Sequence, residues 1–276
     1  MKKKVVGVIP ARYGSTRLPG KALILIHGKP MIQHVYEQCI KASRLEEVYV
    51  ATDDKRIFDC VKGFGGKVVM TSPHHLSGTD RIREAAKHIK ADIIVNIQGD
   101  EPLIVPEMID QAVMPLVKNS KIYMSTLVKK IDNPLDLFNP SIAKVIIDNM
   151  DYAVYFSRSL VPYPRDAEKM TPEYFKKSGI LKTSIFYKHI GLYVYTRRFL
   201  FKLTSLPPSL LEQTEKLEQL RVISNGFKIK AIETNFDTLG VDTPHELKIV
   251  KQIMVRNLDL NDTIKSKKIN HRGRRD

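Results

Sequence analysis

The sequence has few cysteines, no long hydrophobic run and fewer acidic than basic residues. Its two cysteines, Cys39 and Cys60, lie in predicted helices without metal-ligand spacing, so we interpret them as small core residues of a protein from a reducing compartment. No apolar stretch reaches transmembrane length. The apolar run after the first lysines is broken by Pro10 and Arg12, which argues against a signal peptide. We therefore expect a cytoplasmic protein with no membrane insertion.

The shortage of acidic residues leaves a formal net charge of +15, from 45 Lys and Arg against 30 Asp and Glu. Such a balance invites a nucleic-acid-binding interpretation. However, no recognised DNA- or RNA-binding motif is present, and the aromatic residues do not alternate with a basic stripe. Part of the charge lies in residues 258–276, which we predict to be a disordered basic tail after a folded region of residues 1–257. We predict no nucleic-acid partner, and salt-sensitive retention on DNA would favour the opposite.

The order of predicted elements indicates the fold class. A chain of 276 residues with 43% hydrophobic residues can bury a full core. The first half alternates strands and helices, which predicts an α/β fold with a doubly wound, mostly parallel sheet. From about residue 120 to 195, short strands follow one another without long helices, which predicts a mixed or antiparallel insertion that serves as the acceptor and dimer region. Residues 162–187 are interpreted as a mobile connection, and residues 211–224 as one helix.

The loop after the first strand is rich in positive charge. It carries Arg12, Arg17 and Lys21 among glycines and hydroxyl groups. A loop of this kind, at the carboxyl end of a strand, offers N–H groups and cations to a polyphosphate. It does not match the Walker P-loop, because Ala22 stands where the Ser or Thr that holds Mg²⁺ should be. The loop therefore predicts a phosphate site of another type.

Two aspartates follow separate predicted strands. Asp100 belongs to a Gly-Asp-Glu-Pro turn, and Asp242 precedes the last predicted helix. Carboxylates beside a polyphosphate are the usual magnesium arrangement. Asp242, just before Thr-Pro, could equally be only a helix cap. On strands of the second half, Arg158, His189 and Tyr193 could form a polar pocket for an anionic acceptor.

These residues lie in seven sequence blocks that together resemble a known family, the 3-deoxy-manno-octulosonate (Kdo) cytidylyltransferases or CMP-Kdo synthetases. The blocks run in order between about residues 4 and 255: 5–21, 77–81, 95–102, 156–158, 189–193, 217–221 and 240–244. The chain departs from the family pattern at Leu210, where proline is usual. The resemblance implies a Rossmann-like nucleotidyltransferase, usually a homodimer, that uses CTP and Kdo to make CMP-Kdo and pyrophosphate for lipopolysaccharide biosynthesis.

The resemblance also implies individual roles. Residues that would bind the nucleotide are Arg12, Ser15, Thr16, Arg17, Lys21, Ser77, Gly78 and Arg81. Residues that would bind the sugar acid are Gln98, Arg158, His189, Tyr193, Glu212 and Glu215. Asp100 and Asp242 would bind Mg²⁺, and with Arg12 and Lys21 they make up the implied catalytic set.

Some alternatives stay open at this point. The anomeric hydroxyl of Kdo would attack the α-phosphorus of CTP, and the sequence does not choose between a metal-bound alkoxide and a carboxylate base. A related nucleotidyltransferase acting on another acid sugar is the competing enzyme class, against which Arg158 and His189 argue. The sequence also leaves open a preference for aminated Kdo, the dimer geometry and the role of the tail.

Overall fold

The structure, a computed structural model, describes residues 2–14, 17–183 and 185–256. Two of the predicted nucleotide-binding residues, Ser15 and Thr16, lie outside the described residues. So does the predicted tail, and the boundary at residue 257 therefore stays a prediction.

The strands of the described chain form a nine-stranded sheet and a separate two-stranded hairpin. In chain order they are β1 (Val5–Ala11), β2 (Leu25–Ile26), β3 (Lys29–Pro30), β4 (Glu47–Thr52), β5 (Lys67–Met70), β6 (Ile93–Asn96), β7 (Met124–Lys130), β8 (Lys144–Ile147), β9 (Ala153–Ser157), β10 (Tyr187–Thr196) and β11 (Lys230–Glu233). The main path of the sheet is β11-β7-β10-β6-β1-β4-β5, and β2 pairs with β3.

The direction of the strands matches the prediction from the sequence. Along the main path all strands are parallel except β10, which runs antiparallel to both β6 and β7. The hairpin β8–β9 extends the sheet beside β10. The mostly parallel α/β sheet with an antiparallel insertion in the second half is therefore confirmed.

Helices connect these strands. They are α1 (Met31–Cys39), α2 (Lys55–Gly63), α3 (Gly78–His88), α4 (Pro106–Lys118), α5 (Pro134–Phe138), α6 (Pro172–Ser178), α7 (Ile180–Thr183), α8 (Arg197–Leu203), α9 (Leu210–Glu215), α10 (Leu220–Ser224) and α11 (244–256), with a 3₁₀ turn at Lys21–Leu23.

The core lies on both faces of the sheet. Along β1, Val5 and Ile9 face the layer of α1, α2 and α4, while Val6 and Val8 face the layer of α3, α8 and α10. All four side chains are almost fully buried. Burial on both faces is typical of a parallel strand at the centre of a doubly wound sheet.

Two predictions for the second half were wrong. Residues 211–224 are not one helix, because the chain turns at Lys216, which has a φ of +54° between α9 and α10. The supposed mobile connection, residues 162–187, contains α6 and α7. It packs Phe175 and Phe186 with Leu137 in a small apolar cluster. Its apolar residues, rather than its Pro, Lys and Asp content, decide the structure.

The centre of the sheet brings two loops to the same edge. β1 and β6 are parallel neighbours, so the loops that follow them leave side by side. A side chain at Gly99 would place its Cβ 2.9 Å from the carbonyl oxygen of Pro10. Glycine at residue 99 thus permits the close approach of the two loops.

Candidate active site

The loop after β1 folds back on itself and aims Lys21 at the carboxyl edge of the sheet. Gly20 has a φ of +65°, which glycine adopts readily, and its N–H donates to the Tyr13 carbonyl at 3.0 Å. The Tyr13 ring lies under the Arg56 guanidinium, 3.3 Å from ring centroid to guanidinium carbon. These contacts fix both ends of the loop described by the structure.

Lys21 joins the two aspartates that were predicted to bind metal. Its ammonium donates to Asp100 and, at 2.8 Å, to Asp242. The N–H of Val241 also donates to the Asp100 carbonyl at 2.8 Å, which ties the two loops together. A second cation, Arg17, donates to the other carboxylate oxygen of Asp242 at 2.7 Å. The structure therefore brings together two carboxylates and two cations from three distant parts of the sequence.

The carboxylate of Asp242 is not a helix cap. Thr243 caps α11: its hydroxyl accepts from the N–H of Glu246 at 3.3 Å, and the Glu246 carboxylate accepts from the N–H groups of both Thr243 and Asp242. This reciprocal pattern is a capping box. The open question from the sequence is settled, because capping leaves the Asp242 side chain available to Lys21 and Arg17.

The charges of this cluster shift proton affinities. Burial alone would raise the pKa of Asp242, but the hydrogen bonds and charges of Lys21 and Arg17 outweigh it and hold this pKa below its usual value. For Lys21, burial would lower the pKa, and Asp100 and Asp242 outweigh it and raise it. Asp242 and Lys21 are thus both ionised at neutral pH.

A cavity of about 320 Å³ opens over this cluster. It is lined by all the predicted nucleotide-binding residues that the structure describes, together with Asp100 and Asp242: Arg12, Arg17, Lys21, Ser77, Gly78 and Arg81. We call it the nucleotide cavity. Its polar, positively charged wall suits a phosphate chain.

One wall of the nucleotide cavity is the start of α3. Ser77 caps the helix, its hydroxyl accepting from the N–H of Asp80 at 3.1 Å. Arg81 is only 3% exposed, and its guanidinium donates to Thr71 at 2.6 Å and to Asp53 at 2.9 Å. Arg81 is therefore fixed by the protein itself and shapes the wall, whereas Arg12 is exposed and has no ion pair with the described residues.

A second, larger cavity of about 950 Å³ adjoins the first. Four predicted sugar-acid residues line it: Gln98, Arg158, His189 and Tyr193. We call it the acceptor cavity. Three residues, Arg17, Gln98 and Asp242, line both cavities. Molecules bound in the two cavities would therefore meet at this shared wall.

The hydrogen bonds of His189 define its protonation. The Thr126 hydroxyl has backbone carbonyls within reach of its single hydrogen, including that of Leu192 at 2.8 Å, so it accepts from Nε2–H of His189 at 2.9 Å. Burial lowers the pKa of His189 to about 3. The ring is thus neutral at pH 7, with Nδ1 left as its acceptor nitrogen.

Arg158 is held by backbone groups. Its guanidinium donates to the carbonyls of Glu215 at 2.7 Å, Pro140 at 2.9 Å and Lys216 at 3.3 Å. No carboxylate of the described chain forms an ion pair with it. Its positive charge is therefore positioned without being neutralised.

Glu212 and Glu215 lie outside both cavities. The carboxylate of Glu212 forms a two-bond ion pair with Arg221, and that of Glu215 accepts from the Ser157 hydroxyl at 2.8 Å and the Arg158 N–H at 2.9 Å. Glu215 supports the segment that carries Arg158, and Glu212 joins α9 to α10. Their contact with a sugar acid stays a prediction.

Two side chains of the acceptor cavity were not predicted. Gln219 is 4% exposed, and its amide nitrogen has no hydrogen-bond partner within the part of the chain that the structure describes. The carboxyl oxygen Oε2 of Glu101 is also buried and unpartnered there, and burial, followed by the charge of Asp100, raises the pKa of Glu101 to about 8. Both residues lie inside the sequence blocks named above. That position was the only available signal, because an unpartnered buried group shows only in three dimensions.

No helix of the described residues is long and apolar enough to cross a membrane. Within residues 2–14, 17–183 and 185–256 no group of three or more His, Cys, Asp or Glu side chains converges as a metal site would. Any metal at Asp100 and Asp242 would therefore need further ligands from substrate and water.

Comparisons with known proteins agree with this geometry. A family model described as cytidylyltransferase matches residues 6–231. The 3-deoxy-manno-octulosonate cytidylyltransferase of Geobacter metallireducens is 52% identical over 252 residues, covering 91% of this chain and 98% of that protein. The protein of the same name from Trichlorobacter lovleyi is 50% identical over 252 residues, with 91% and 98% covered.

Solved structures show the same similarity. A CMP:2-keto-3-deoxy-manno-octonic acid synthetase complexed with CTP superposes with a TM-score of 0.83 at 43% identity, covering 92% of this chain and 99% of that one. A 4-diphosphocytidyl-2C-methyl-D-erythritol synthase from Anaerococcus prevotii has a TM-score of 0.59 at 12% identity, with 92% and 96% covered, and shows a shared fold alone.

Proposed function

The chain belongs to the cytidylyltransferase family, and we propose that it activates Kdo with CTP, giving CMP-Kdo and pyrophosphate for lipopolysaccharide biosynthesis. It is a nucleotidyltransferase, and about half of its aligned residues are identical to those of proteins named for this reaction. The observation that carries the proposal is the pair of adjoining cavities, one lined by phosphate-binding groups and one by Arg158 and a neutral His189.

The nucleotide cavity would hold CTP by its phosphates. Arg12 is exposed and free of ion pairs with the described residues, so it is available to a phosphate. Arg17 and Lys21 would exchange their carboxylate partners for phosphate oxygens. Ser77 and Gly78 at the start of α3 would lie by the nucleotide, and the positive end of the helix favours an anion there. Ser15 and Thr16 belong to the proposal by family resemblance only.

The residues present fit a magnesium ion. One ammonium, that of Lys21, contacts both Asp100 and Asp242, so two hard oxygen ligands converge on a point that already accepts a cation. We propose that Asp100 and Asp242 hold Mg²⁺ together with phosphate oxygens. The metal, when bound, supplies positive charge that stabilises the transferring phosphoryl group.

The acceptor cavity would hold Kdo through its carboxylate and hydroxyl groups. Arg158 presents a planar, positively charged group that can hold a carboxylate with two bonds. Nδ1 of His189 would accept from a sugar hydroxyl, and the amides of Gln98 and Gln219 would donate. Gln98 is itself held by its Nε2–H on the Gly191 carbonyl at 3.1 Å. Tyr193 completes this wall.

In the reaction, the anomeric oxygen of Kdo would attack the α-phosphorus of CTP. The new oxygen–phosphorus bond forms as the bond to the β-phosphate oxygen breaks, the anomeric hydroxyl gives up its proton, and pyrophosphate leaves. Arg12, Arg17 and Lys21 would stabilise the charge on the phosphate oxygens, and of these three Arg17 lies at the wall that both cavities share. We also propose, by family resemblance, a homodimer located in the cytoplasm.

The test is pyrophosphate release with each of the four ribonucleoside triphosphates, with and without Kdo. We expect release only with CTP and Kdo together. Equal Kdo-dependent release with ATP or GTP would contradict the proposal. A panel of other acid sugars, including aminated Kdo, distinguishes Kdo from the competing substrates, and a better acceptor in that panel would revise the assignment.

A further inference from the structure

Lys144, at the start of β8, is a buried lysine outside both cavities. Its side chain has no solvent exposure. The ammonium donates to two backbone carbonyls, that of Asn139 at 2.8 Å and that of Ile142 at 2.6 Å. Burying a charged ammonium costs free energy unless an opposite charge or hydrogen bonds compensate. A neutral apolar side chain would serve better if the position only filled space.

The loop that Lys144 holds is a wall of the acceptor cavity. Asn139, Ser141, Ile142 and Ala143 line that cavity. The same loop also contacts two of the proposed acceptor-binding residues. The Pro140 carbonyl accepts from Arg158 at 2.9 Å, and the Ala143 carbonyl accepts from the N–H of His189 at 2.9 Å. Lys144 therefore lies behind the wall and is connected through it to Arg158 and His189.

The charges around Lys144 are not balanced. No carboxylate of the described residues lies within ion-pair distance, 4.0 Å, of its ammonium. Arg158, the residue after β9, adds a second positive charge nearby, and Glu215 on α9 supplies a negative one. Lys188, which is the cross-strand partner of Lys144 on β10, is neutralised by Asp136 and Asp237. Two cations thus share one nearby carboxylate, which leaves an unmatched positive charge beside the acceptor cavity.

We infer that Lys144 is a positioning residue for the acceptor. It fixes the wall formed by residues 139–143 and supplies a buried positive charge that the carboxylate of the bound acceptor neutralises. This inference rests on the proposed function, because it requires an anionic acceptor. Across a partly buried wall a unit charge acts at an effective dielectric constant of about 20, far below that of water. Lys144 can therefore attract the carboxylate without touching it.

The proton affinity of Lys144 agrees with this role. Burial, and then the charge of Arg158, lower the pKa of the Lys144 ammonium to about 8, although Glu215 opposes the shift. An anion in the acceptor cavity would act in the same direction as Glu215 and further favour the charged form. The free enzyme thus holds an ammonium whose charge the acceptor stabilises.

The test compares Lys144→Met with Lys144→Gln. The methionine variant keeps the length of the side chain but removes the charge and both hydrogen bonds. The glutamine variant keeps two N–H donors for the loop carbonyls, and it provides a foldable variant if the methionine variant fails to fold. The matched control is Lys230→Met, because Lys230 also donates to a turn carbonyl, that of Met150 at 2.6 Å, but lines neither cavity.

We expect both Lys144 variants to raise KM for Kdo about tenfold, with KM for CTP within about twofold of wild type. Dissociation constants for Kdo and its methyl ester give the second readout. The wild type should prefer the carboxylate, and both Lys144 variants should weaken that preference about tenfold, whereas Lys230→Met keeps it.

A lowered melting temperature with an unchanged preference for the carboxylate would overturn the inference and leave Lys144 a structural residue. Equal changes in KM for both substrates would do the same. If the wild type does not turn over Kdo at all, the proposed function fails instead, so the two failures are distinguishable.

Discussion

The cations of the two cavities have different partners. In the nucleotide cavity, Lys21 and Arg17 are bound to the carboxylates of Asp100 and Asp242. In the acceptor region, Arg158 is bound to backbone carbonyls. Carbonyls orient a cation, but only carboxylates neutralise it. Lys21 and Arg17 would therefore have to exchange ion-pair partners when a ligand binds, whereas Arg158 already presents an unmatched positive charge.

This difference suits the two ligands proposed for the cavities. A triphosphate with a divalent metal brings both signs of charge, so it can replace both members of an ion pair. A sugar acid brings one carboxylate and many hydroxyl groups, so it needs one unmatched cation and neutral partners such as His189. The following predictions test whether cations of the nucleotide cavity exchange ion-pair partners on binding, and whether the charge of Arg158 complements that of the acceptor.

The largest expected effect is at the carboxylates of the nucleotide cavity. Asp100→Asn and Asp242→Asn should each lower kcat on the order of a thousandfold, because each removes a proposed magnesium ligand. The double variant should be little worse than either single variant, since the two residues act as one unit. The measurement is pyrophosphate release at saturating CTP and Kdo, with melting temperatures to confirm folding.

The matched control for these variants is Asp54→Asn. Asp54 follows β4 and forms an ion pair with Arg56 at 2.6 Å, but it lines neither cavity. The Asp54→Asn variant should keep wild-type activity. Near-wild-type turnover by Asp100→Asn or Asp242→Asn at limiting Mg²⁺ would remove that residue from the metal site.

The second effect tests whether a magnesium ion can replace the Lys21 ammonium between Asp100 and Asp242. Lys21→Met should lower kcat about a hundredfold by removing a charge from the transferring phosphate. It should also leave Asp100 and Asp242 facing each other without their shared cation. Mg²⁺ alone, without nucleotide, should then raise the melting temperature of the variant more than that of the wild type. An equal or smaller rise in the variant would show that the two carboxylates do not form a metal site.

The third effect tests complementation at Arg158. Arg158→Lys keeps the positive charge but loses the planar, two-bond geometry, so KM for Kdo should rise about tenfold while KM for CTP changes little. Steady-state kinetics with each substrate varied in turn measures both constants. An equal effect on both would place Arg158 in the nucleotide site or in the structure alone.

A smaller effect concerns acid stability. Because the pKa of His189 is lowered in the folded state, the unfolded chain takes up a proton first as pH falls through about 6.5. The contribution of His189 to stability should decline from there towards pH 3, by up to about 1.4 kcal/mol per pH unit. The raised pKa of Glu101 acts in the opposite direction between about pH 8 and its unfolded value near 4. The lowered pKa of Asp242 acts in a lower window, since its stabilisation is present above the unfolded value near 4 and is lost below it.

Urea unfolding between pH 7.5 and pH 4.5, roughly the range in which histidine but not aspartate gains protons, separates His189 from Asp242. Comparing wild type with His189→Asn removes the contribution of Glu101, which both proteins share. His189→Asn should make the free energy of unfolding less dependent on pH in this range, and Asp242→Asn should not. Parallel pH profiles for wild type and His189→Asn would show that the histidine is not buried in its neutral form.

The smallest effect is expected at the tail. Residues 258–276 lie beyond the family match and are strongly basic. Removing them should leave kcat, both KM values and the melting temperature unchanged. A rise in KM for CTP alone would mean that tail cations act in the nucleotide cavity, and a tenfold loss of kcat/KM would show that the tail packs on or controls the site.

The nucleotide cavity was more predictable from the sequence than the acceptor cavity. Its groups follow strand ends, and parallel strands bring their carboxyl ends to one edge. The sequence thus indicated that Lys21, Asp100 and Asp242 would meet. It did not indicate that Thr243 would cap α11 and release the Asp242 side chain, because either residue type can cap a helix.

The acceptor region depends on local turns that composition does not reveal. The left-handed turn at Lys216 divides the predicted helix, and the ion pair with Arg221 holds Glu212 outside the cavity. Gln219 was missed because its significance lies in a buried amide without a partner, which is a property of packing. A pattern of residue types predicts periodic elements well and irregular ones poorly.

The wall shared by the two cavities has a consequence for inhibitor design. Arg17, Gln98 and Asp242 line both cavities, so a nucleotide mimic and a sugar-acid mimic would bind with no protein layer between them. A short tether could join the two without strain. Binding of the first half then raises the effective concentration of the second, which can increase affinity about 10²–10⁴-fold over either half alone.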